Sequence, residues 1–557
     1  MKYIIIGGVA GGASAAARLR RLNEDAEIIL LEKGEHISYA NCGLPYYIGE
    51  MIEERKKLFL QTPVSFGNRY NVDVRTFNEA LSIDRNKKTV TVLNHRNGKR
   101  YEEGYDILLL SPGADPVVPD VPGATLPGVF TLRNVMDCDR IKASAADRLH
   151  KGSAAVIVGG GFIGLEMAEN LHKIGYGVTV VEKADHILTP LDLPMAAIVQ
   201  QHLADKGIRV IVGNGLASIK EHEGKMTVSL EKGDVLDCDL AILSIGVRPN
   251  ARLAEDCGLK LGTTGGIQVD EYMQTSDETV FAVGDAIEFP HPVTGKPYCN
   301  FLAGPANLQA RIAAMNMVYP RSVKYNGSVT AAIAKVFDLT AAAAGLSEHI
   351  LRKQGIKFQT VIIHPASHAT YYPGSSPIHL KINFEPGTGL LLGAQAVGSE
   401  NIDKQIDTLS LLLKHHGTIF DMVNSEHVYA PPFASAKSPV QFAGMVAENI
   451  FAHLMNPIQY DELDKMLDAK EDINLIDVRD IQEFKGGTID GATNYPVNEL
   501  REFLDDIPQG KKTVIFCEVG LRGYIAARIM MQSGFEPVYN LIGGMKTYRL
   551  VGKHNSK

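Results

Sequence analysis

Gly159-Gly160-Gly161-Phe162-Ile163-Gly164 decides the fold, because this stretch has the GxGxxG spacing of a dinucleotide-binding loop. The apolar run 155–158 before it predicts a buried strand, and residues 178–181 predict a second strand that leads into Glu182. A carboxylate there accepts hydrogen bonds from the ribose hydroxyls and repels a 2′-phosphate. The stretch therefore predicts an NADH site, with NADPH left open by the neighbouring Lys183, and the expected contacts are Gly159, Gly161, Phe162, Ile163, Gly164, Glu182 and Gly246.

A second loop of this kind lies near the amino terminus, in Gly7-Gly8-Val9-Ala10-Gly11-Gly12 between a predicted strand and an Ala-rich helix. Val9 replaces the middle glycine, but a second strand ends in Glu32, which restores the expected order of elements. Two loops imply two dinucleotides, and a flavin at the first could pass electrons from a nicotinamide at the second to sulfur. The alternative is a glycine-rich turn that binds nothing. The expected FAD contacts are Gly7, Gly8, Val9, Ala10, Gly11, Gly12, Glu32 and Lys33, together with Ser111, Gly113, Gly284 and Asp285 at the ends of two later strands.

Cys42, within Ser38-Tyr39-Ala40-Asn41-Cys42-Gly43-Leu44-Pro45-Tyr46-Tyr47, is the candidate redox centre. Pro45 fits the first turn of a helix whose amides would face the sulfur and lower its pKa. The next cysteine is Cys138, too far along the chain for a short intramolecular disulfide motif. The partner of the sulfur should therefore be a small thiol, a persulfide or oxygen as a sulfenic acid, unless Cys42 is a buried structural cysteine.

The length and composition of the chain limit its number of domains, its partners and its cellular setting. A chain of 557 residues predicts three or four domains, and a net charge of −8 without a long basic run argues against nucleic acid as a partner. We expect no membrane span, since no apolar run approaches 18 residues, and no cleaved signal segment. The six cysteines, at positions 42, 138, 238, 257, 299 and 517, have no disulfide or metal spacing. We therefore expect a cytoplasmic protein without a metal site.

Residues 1 to about 445 resemble the flavin- and nicotinamide-dependent pyridine nucleotide-disulfide oxidoreductases, and within them the single-cysteine branch that contains coenzyme A-disulfide reductase. The resemblance is carried by both glycine loops, Ser111-Pro112-Gly113-Ala114, Val283-Gly284-Asp285 and the Cys42 stretch. It implies a mixed disulfide between Cys42 and coenzyme A (CoA) beside the flavin. NADH oxidase and peroxidase relatives carry a histidine in the first loop, where this chain has Ala10.

The same resemblance implies a homodimer in which two tyrosines approach the partner subunit's redox cysteine, and Tyr371 and Tyr429 match them best. A phenol there could hydrogen-bond a sulfur anion or donate a proton, although both could be ordinary interface residues. The phosphates of CoA need cations. Arg18 and Arg21 would share a helix face, with Ser38 and Asn41 beside the cysteine, but solvated arginines are the alternative.

After Asn456-Pro457 the chain forms a small α/β tail, in which Cys517-Glu518-Val519-Gly520-Leu521-Arg522 joins a predicted strand to a helix. A cysteine in such a loop is cradled as a thiolate. The tail resembles the rhodanese domain in residues 475–479, 487–492, 541–544 and the Cys-x4-Arg loop. This resemblance implies that Cys517 carries sulfane sulfur and that Arg522 binds substrate. Glu518 stands where thiosulfate-using members have a cation, and an inactive rhodanese fold is the alternative.

We therefore predict an α/β protein with two Rossmann-like dinucleotide-binding domains, an α+β dimerisation domain and a C-terminal rhodanese α/β domain. The predicted ranges are 1–115 with 250–323 for FAD, 116–249 for NAD(P)H, 324–455 for dimerisation and 458–557 for the rhodanese domain.

The predicted function is NADH-dependent reduction of persulfide, polysulfide, CoA persulfide or CoA disulfide at Cys42, with Cys517 as sulfur carrier. The alternatives are a CoA-disulfide reductase with an independent sulfurtransferase module, an NADH oxidase or peroxidase, and a sulfur-trafficking or redox-sensing module that turns over little.

Overall fold

The computed structural model of the protein describes residues 1–222 and 224–554. Residue 223, in the predicted NAD(P)H domain, and residues 555–557, in the predicted rhodanese domain, lie outside the described residues. The chain separates into two compact units, residues 1–187 with 207–330 and residues 188–206 with 331–557. Within the described ranges, no helix is both long and apolar enough to cross a membrane.

The first unit contains seven of the helices in the described ranges and the first 21 strands. Its helices are α1 (Ala10–Leu22), α2 (Leu44–Ile48), α3 (Pro63–Tyr70), α4 (Val135–Asp147), α5 (Phe162–Lys173), α7 (Arg252–Asp256) and α8 (Ala303–Val318), while α6 (Leu193–Asp205) belongs to the second unit. Its strands are β1 (Lys2–Ile6), β2 (Glu27–Glu32), β3 (Asp73–Thr76), β4 (Asn78–Asp84), β5 (Thr89–Asn94), β6 (Arg100–Gly104), β7 (Ile107–Leu110), β8 (Ala114–Pro116), β9 (Val129–Phe130), β10 (Ala154–Val158), β11 (Gly177–Val181), β12 (Arg209–Ile211), β13 (Leu216–His222), β14 (Lys225–Leu230), β15 (Val235–Cys238), β16 (Leu240–Leu243), β17 (Val247–Pro249), β18 (Ile267–Gln268), β19 (Val280–Ala282), β20 (Ile287–Pro290) and β21 (Pro297–Tyr298).

Two five-stranded parallel sheets organise this unit. Their strand orders are β19-β7-β1-β2-β3 and β12-β11-β10-β16-β9. The central strands β1 and β10 are nearly continuous apolar runs and are buried along almost their whole length, as parallel strands covered on both faces must be. The first glycine loop starts at the carboxyl end of β1 and the second at the carboxyl end of β10. The predicted Rossmann-like pair is confirmed.

The second unit combines two further sheets. Its strands are β22 (Ala332–Val336), β23 (Leu339–Gly345), β24 (Gln359–Ile363), β25 (Ile378–Phe384), β26 (Leu391–Gly398), β27 (Asn456–Ile458), β28 (Asn474–Asp477), β29 (Thr493–Asn494), β30 (Thr513–Phe516) and β31 (Val538–Leu541). Its later helices are α9 (Glu348–Gln354), α10 (Ile402–Lys414), α11 (Ile419–Asn424), α12 (Pro439–Phe451), α13 (Tyr460–Asp468), α14 (Ile481–Lys485), α15 (Leu521–Gln532) and α16 (Gly544–Val551). The antiparallel sheet β22-β23-β26-β25-β24 precedes the parallel sheet β27-β31-β30-β28-β29, which carries Cys517.

A buried ion cluster fastens α6 to the antiparallel sheet. The Lys381 ammonium group lies 2.9 Å from Asp192 Oδ2 and 2.5 Å from Glu348 Oε1, and its side chain is 1% exposed. Gln395 donates to Asp192 over 2.6 Å. Burial alone would lower the pKa of Lys381, but the two carboxylates outweigh it and raise that pKa above its ordinary value. The Lys381 ammonium group therefore keeps its charge at neutral pH.

Lys381→Met should lower the melting temperature by about 10 °C, because it leaves two buried carboxylates facing each other without a cation. Lys465→Met is the matched control, since Lys465 pairs with Asp461 on an exposed helix face with its side chain 73% exposed, and it should shift the melting temperature by less than about 2 °C. Thermal unfolding followed by circular dichroism gives both values. Equal small shifts would show that the buried cluster contributes little.

Candidate functional site

The first glycine loop brings the chain very close to itself. A Cβ atom at Gly12 would collide with the carbonyl oxygen of Gly7, and Gly7 has a φ of +100°, so only glycine fits either position. Because of this approach, α1 begins directly after the end of β1, and the amides of its first turn have no helical acceptor. Such amides are the donors that a pyrophosphate group needs.

Glu32 is fixed at the edge of this loop through both of its carboxylate oxygens. The Gly8 amide donates to one over 2.9 Å and the Gly34 amide donates to the other over 2.8 Å. These bonds hold the carboxylate at the end of β2, the place from which an adenosine ribose is recognised. The exposed Lys33 follows it in the chain.

The second loop repeats this geometry. A Cβ atom at Gly164 would collide with the Gly159 carbonyl oxygen, whereas a Cβ atom at Gly161 would meet nothing within 4 Å. The loop is thus tight where α5 packs on β10 and open where α5 begins at Phe162. Open space beside a glycine at a helix start lets a pyrophosphate approach the backbone, so the residues present fit a dinucleotide.

Glu182 occupies the same place at the second loop as Glu32 does at the first. Its two oxygens accept from the Gly160 and Ala184 amides, each over 2.8 Å. The neighbouring Lys183 ammonium group lies 2.8 Å from Glu231 Oε1. This pairing directs the lysine charge toward a carboxylate, although the lysine side chain is 75% exposed.

The remaining predicted flavin contacts meet at the carboxyl ends of β7 and β19. The Ser111 hydroxyl oxygen lies beside both Gly11 and Gly284, 2.5 Å and 3.8 Å from the positions that Cβ atoms would take there. Gly113 turns the chain with a φ of +73°. Asp285 follows Gly284 in a short 3-10 turn. The structure therefore brings these four residues to one side of the first loop.

The Asp285 carboxyl group has a raised pKa. Burial raises its pKa to about 6, against the opposing attraction of the Arg133 guanidinium group. Arg133 forms an ion pair with Asp115 and donates to the Pro112 carbonyl over 3.0 Å. A carboxyl group that titrates near neutrality can both accept from and donate to the hydroxyl groups of a ligand.

Cys42 lies on a 3-10 turn, Asn41–Gly43, that leads into α2. The residue is exposed, so it is not a buried structural cysteine. The stretch is tied to the first loop, since the Ser38 amide donates to the Gly8 carbonyl over 2.8 Å. Asn41 is exposed beside the thiol.

The predicted lowering of the Cys42 pKa is wrong. Removal of water around the sulfur raises the thiol pKa, and repulsion from Glu166 and Asp285 raises it further, while only the backbone amide of Cys42 itself acts in the other direction. Pro45 does lie in the first turn of α2 as predicted. The amides of this short helix do not outweigh the loss of water around the sulfur and the repulsion from two carboxylates.

Two residues that the sequence did not single out stand beside Cys42. The Tyr46 hydroxyl group on α2 donates to Glu166 Oε1 on α5 over 3.2 Å. Burial raises the pKa of both groups, and the hydrogen bond from Tyr46 partly offsets the rise at Glu166. Helix α5, which starts at the second glycine loop, thereby meets the cysteine turn.

Arg18 and Arg21 lie on α1 as predicted, and a third arginine, Arg311 on α8, joins them. Burial lowers the pKa of Arg18, and repulsion from Arg311 and Arg21 adds to the effect. Arg18 Nε is buried without a hydrogen-bond partner among the described residues. Three guanidinium groups so arranged favour a polyanionic ligand. Arg20 instead donates to backbone carbonyls and serves the fold.

In the second unit, the side chains of Tyr371 and Tyr429 meet each other. Their approach to the partner subunit's cysteine stays a prediction. Their hydroxyl oxygens lie 2.9 Å apart, although the two residues are 58 positions apart in the chain. The Tyr371 side chain is 75% exposed. The hydrogen bond to Tyr429 raises the pKa of Tyr371. Two exposed, hydrogen-bonded phenols form a surface that can meet a second molecule.

Cys517 follows β30 and is fully buried at the base of its loop. The Gly520 amide donates to Cys517 Sγ over 3.1 Å, and Gly520 itself has a φ of +107°, so the loop turns back over the sulfur before α15 begins. The predicted cradle is therefore built from backbone.

The charged groups of this loop are paired with charged groups outside it. Glu518 accepts from Arg479 over 3.2 Å and from Arg549 over 2.5 Å. Arg522 donates to both oxygens of Glu483, over 2.6 Å and 2.8 Å. Arg522, the predicted substrate ligand, is thus held by a carboxylate, and the Glu518 charge is shared between two arginines.

Comparison with known families matches three segments of the chain. Residues 1–309 match the family described as pyridine nucleotide-disulphide oxidoreductase, residues 331–439 match its dimerisation domain, and residues 459–550 match the rhodanese-like domain. The chain is also 34% identical to the coenzyme A disulfide reductase of Staphylococcus epidermidis over 447 residues, which are 80% of this chain and all of that protein. The chain belongs to the pyridine nucleotide-disulphide oxidoreductase family. It is a flavin-dependent oxidoreductase that uses FAD and NAD(H).

Two solved structures of similar proteins cover almost the whole chain, including the rhodanese tail. Reduced CoADR-RHD from Bacillus anthracis is 43% identical, covers 99% of this chain and 98% of its own, and superposes with a TM-score of 0.95. The NAD-dependent persulfide reductase from A. fulgidus is 38% identical, covers 98% and 100%, and has a TM-score of 0.91. The full domain order of this oxidoreductase is therefore shared with both proteins.

The nucleotide preference of this oxidoreductase follows from the second loop. Because Glu182 is held in place by two amides, kcat/KM for NADPH should be at least about tenfold below that for NADH. Glu182→Ala should bring kcat/KM for NADPH closer to that for NADH. Glu221→Gln changes an exposed carboxylate of the same unit and should leave the ratio of the two values unchanged. Steady-state kinetics with both nucleotides decides this. An unchanged ratio in Glu182→Ala would place the ribose elsewhere.

Proposed function

We propose that this enzyme uses NADH to reduce a sulfur–sulfur bond at Cys42, and that Cys517 carries sulfane sulfur to that reaction. The observation that carries the proposal is the presence of two differently built cysteines in one chain. Cys42 is exposed and tied to the first glycine loop, whereas Cys517 is buried in a backbone cradle. The first suits exchange with a ligand, and the second suits a protected persulfide.

The names of the relatives support this choice of substrate. One is a coenzyme A disulfide reductase, and another, similar over nearly the whole length, is a persulfide reductase. CoA persulfide fits both names, with polysulfide and CoA disulfide as related substrates. Ala10, in the first loop, argues against oxidase or peroxidase chemistry.

The proposed reaction at Cys42 has two steps, attack on the persulfide and reduction of the mixed disulfide. The Cys42 thiolate attacks the CoA-bound sulfur of CoA persulfide, forms a mixed disulfide with CoA and releases HS⁻. FAD, when bound, would supply two electrons that originate from NADH. With two protons, these electrons would cleave the mixed disulfide and restore both Cys42 and CoA as thiols. Since the thiol pKa of Cys42 is raised, release of a proton before attack is part of this cycle.

We assign the binding roles by position. The first loop with Glu32, Lys33, Ser111, Gly113, Gly284 and Asp285 would hold FAD, and the second loop with Glu182 and Gly246 would hold NADH. Arg18, Arg21 and the newly found Arg311 would bind the phosphates of CoA, with Ser38 and Asn41 beside its sulfur. Arg522, oriented by its ion pair with Glu483, would bind the sulfur donor at the Cys517 loop.

We further propose a cytoplasmic homodimer. The matched dimerisation domain and the exposed Tyr371–Tyr429 pair support the dimer, in which these phenols would face the partner subunit's Cys42 and protonate its leaving sulfur. The six cysteines, all described and all free, suit a reducing compartment.

A second candidate is CoA-disulfide reduction with an independent sulfurtransferase module. The S. epidermidis relative favours it, because its whole length matches only 80% of this chain. The reductase part thus exists in that protein without the tail.

Cys42→Ser should abolish reduction of CoA persulfide and CoA disulfide while NADH still bleaches the flavin at the wild-type rate, because hydride transfer precedes the sulfur step. Anaerobic stopped-flow absorbance separates the two half-reactions. Cys257→Ser, which changes another cysteine of the same unit, should retain both. Slow flavin reduction in Cys42→Ser would show that Cys42 acts in a step other than the sulfur half-reaction.

Cys517→Ser should lose most activity with polysulfide and keep most activity with CoA disulfide, because CoA disulfide reaches Cys42 without a carrier. NADH consumption with each substrate measures this split. Loss with neither substrate would support the independent module, and equal loss with both would give the tail a structural role only.

A further inference from the structure

The amino-terminal end of α16 donates hydrogen bonds to the backbone of the Cys517 loop, residues 517–522. The Met545 amide donates to the Cys517 carbonyl over 2.8 Å, and the Lys546 amide donates to the Glu518 carbonyl over 2.9 Å. The first amides of a helix have no partner inside it, so these two bonds satisfy them and fix the first two peptide groups of the loop. The position of α16 therefore sets the position of the loop.

A histidine that follows a strand of the antiparallel sheet contacts the same amino-terminal end of this helix. His364 follows β24, and its Nε2 atom lies 3.2 Å from the Gly543 carbonyl oxygen and 2.9 Å from Thr547 Oγ1. Its Nδ1 atom lies 2.8 Å from Nδ1 of His379 in β25. Thr547 is 3% exposed and His379 is 8% exposed. The contact is thus a shielded chain of polar groups between the antiparallel sheet and α16.

The hydrogen-bond partners fix the protonation of this chain. The Gly543 carbonyl can only accept, so His364 Nε2 carries the hydrogen and His364 Nδ1 accepts from His379 Nδ1. Burial lowers the pKa of His364 well below its ordinary value, and His379 and Lys546 lower it further. Burial, with Lys546, also lowers the pKa of His379 to about 4. Both rings are therefore neutral at neutral pH and keep this pattern of donors.

We propose that His364, oriented by His379, is a positioning residue for Cys517: it holds α16, and α16 holds the loop that cradles the sulfur. This inference deepens the proposed function, since it rests on Cys517 being the sulfur carrier. The sulfur accepts from the Gly520 amide over 3.1 Å, a bond that stabilises the thiolate. Movement of α16 would lengthen that bond and make the thiol harder to ionise.

The test uses the full-length enzyme with Thr547→Val and His364→Leu, which remove the two sides of the contact. Iodoacetamide alkylation of the Cys517 peptide, followed by mass spectrometry from pH 5 to 9, measures its thiolate fraction. We expect the profile to move to higher pH and kcat/KM with polysulfide to fall about tenfold, the order expected when a reacting group is misplaced. Activity with CoA disulfide should stay at the wild-type level.

Two further variants separate positioning from stability. Thr547→Ser retains the hydroxyl group and should restore the wild-type profile. Thr360→Val removes an equally buried hydroxyl group in β24, where Thr360 donates to Asn383 over 2.8 Å, and should lower the melting temperature without moving the profile.

An unchanged alkylation profile in both Thr547→Val and His364→Leu would overturn the proposal, as would an equal shift in Thr360→Val. If the profile moves as expected but Cys517→Ser retains polysulfide activity, the positioning role stands and the sulfur-carrier role fails.

Discussion

The close approach between the last and first glycines of each nucleotide loop is the constraint on which the first unit depends. Neither Gly12 nor Gly164 tolerates a Cβ atom, because the carbonyl oxygen of the loop's first glycine occupies that space. The approach places α1 and α5 directly after their strands, and it exposes first-turn amides beside Glu32 and Glu182. The same backbone geometry therefore forms both dinucleotide sites.

This constraint extends to the sulfur centre through α5. That helix starts at the second loop and carries Glu166, which accepts from Tyr46 next to Cys42. The second unit holds its sulfur centre in a comparable way, since backbone amides of α16 and of Gly520 hold the Cys517 loop. Both sulfur centres therefore depend on the position of a helix, α5 for Cys42 and α16 for Cys517. In both cases that helix lies far from the cysteine in the sequence.

Local patterns made the fold and the centres of both sites predictable: glycine spacing, strand-end acids and a cysteine between strand and helix are all readable within about 30 residues. Residues that act across the fold were missed. Glu166, Arg311 and His364 give no local signal, because each acquires its role from a partner on another element. The pKa of Cys42 was wrongly predicted for the same reason, since the sequence shows the helix but not the carboxylates that face the sulfur.

The most direct measurement of the central claim is anaerobic rapid quenching during turnover with NADH, CoA and ³⁴S-labelled polysulfide, followed by mass spectrometry of the Cys42 and Cys517 peptides. The account predicts that labelled sulfur appears first on Cys517 as a persulfide and that Cys42 then carries CoA as a mixed disulfide. Turnover during which the Cys42 peptide remains unmodified, at every quench time, would contradict it.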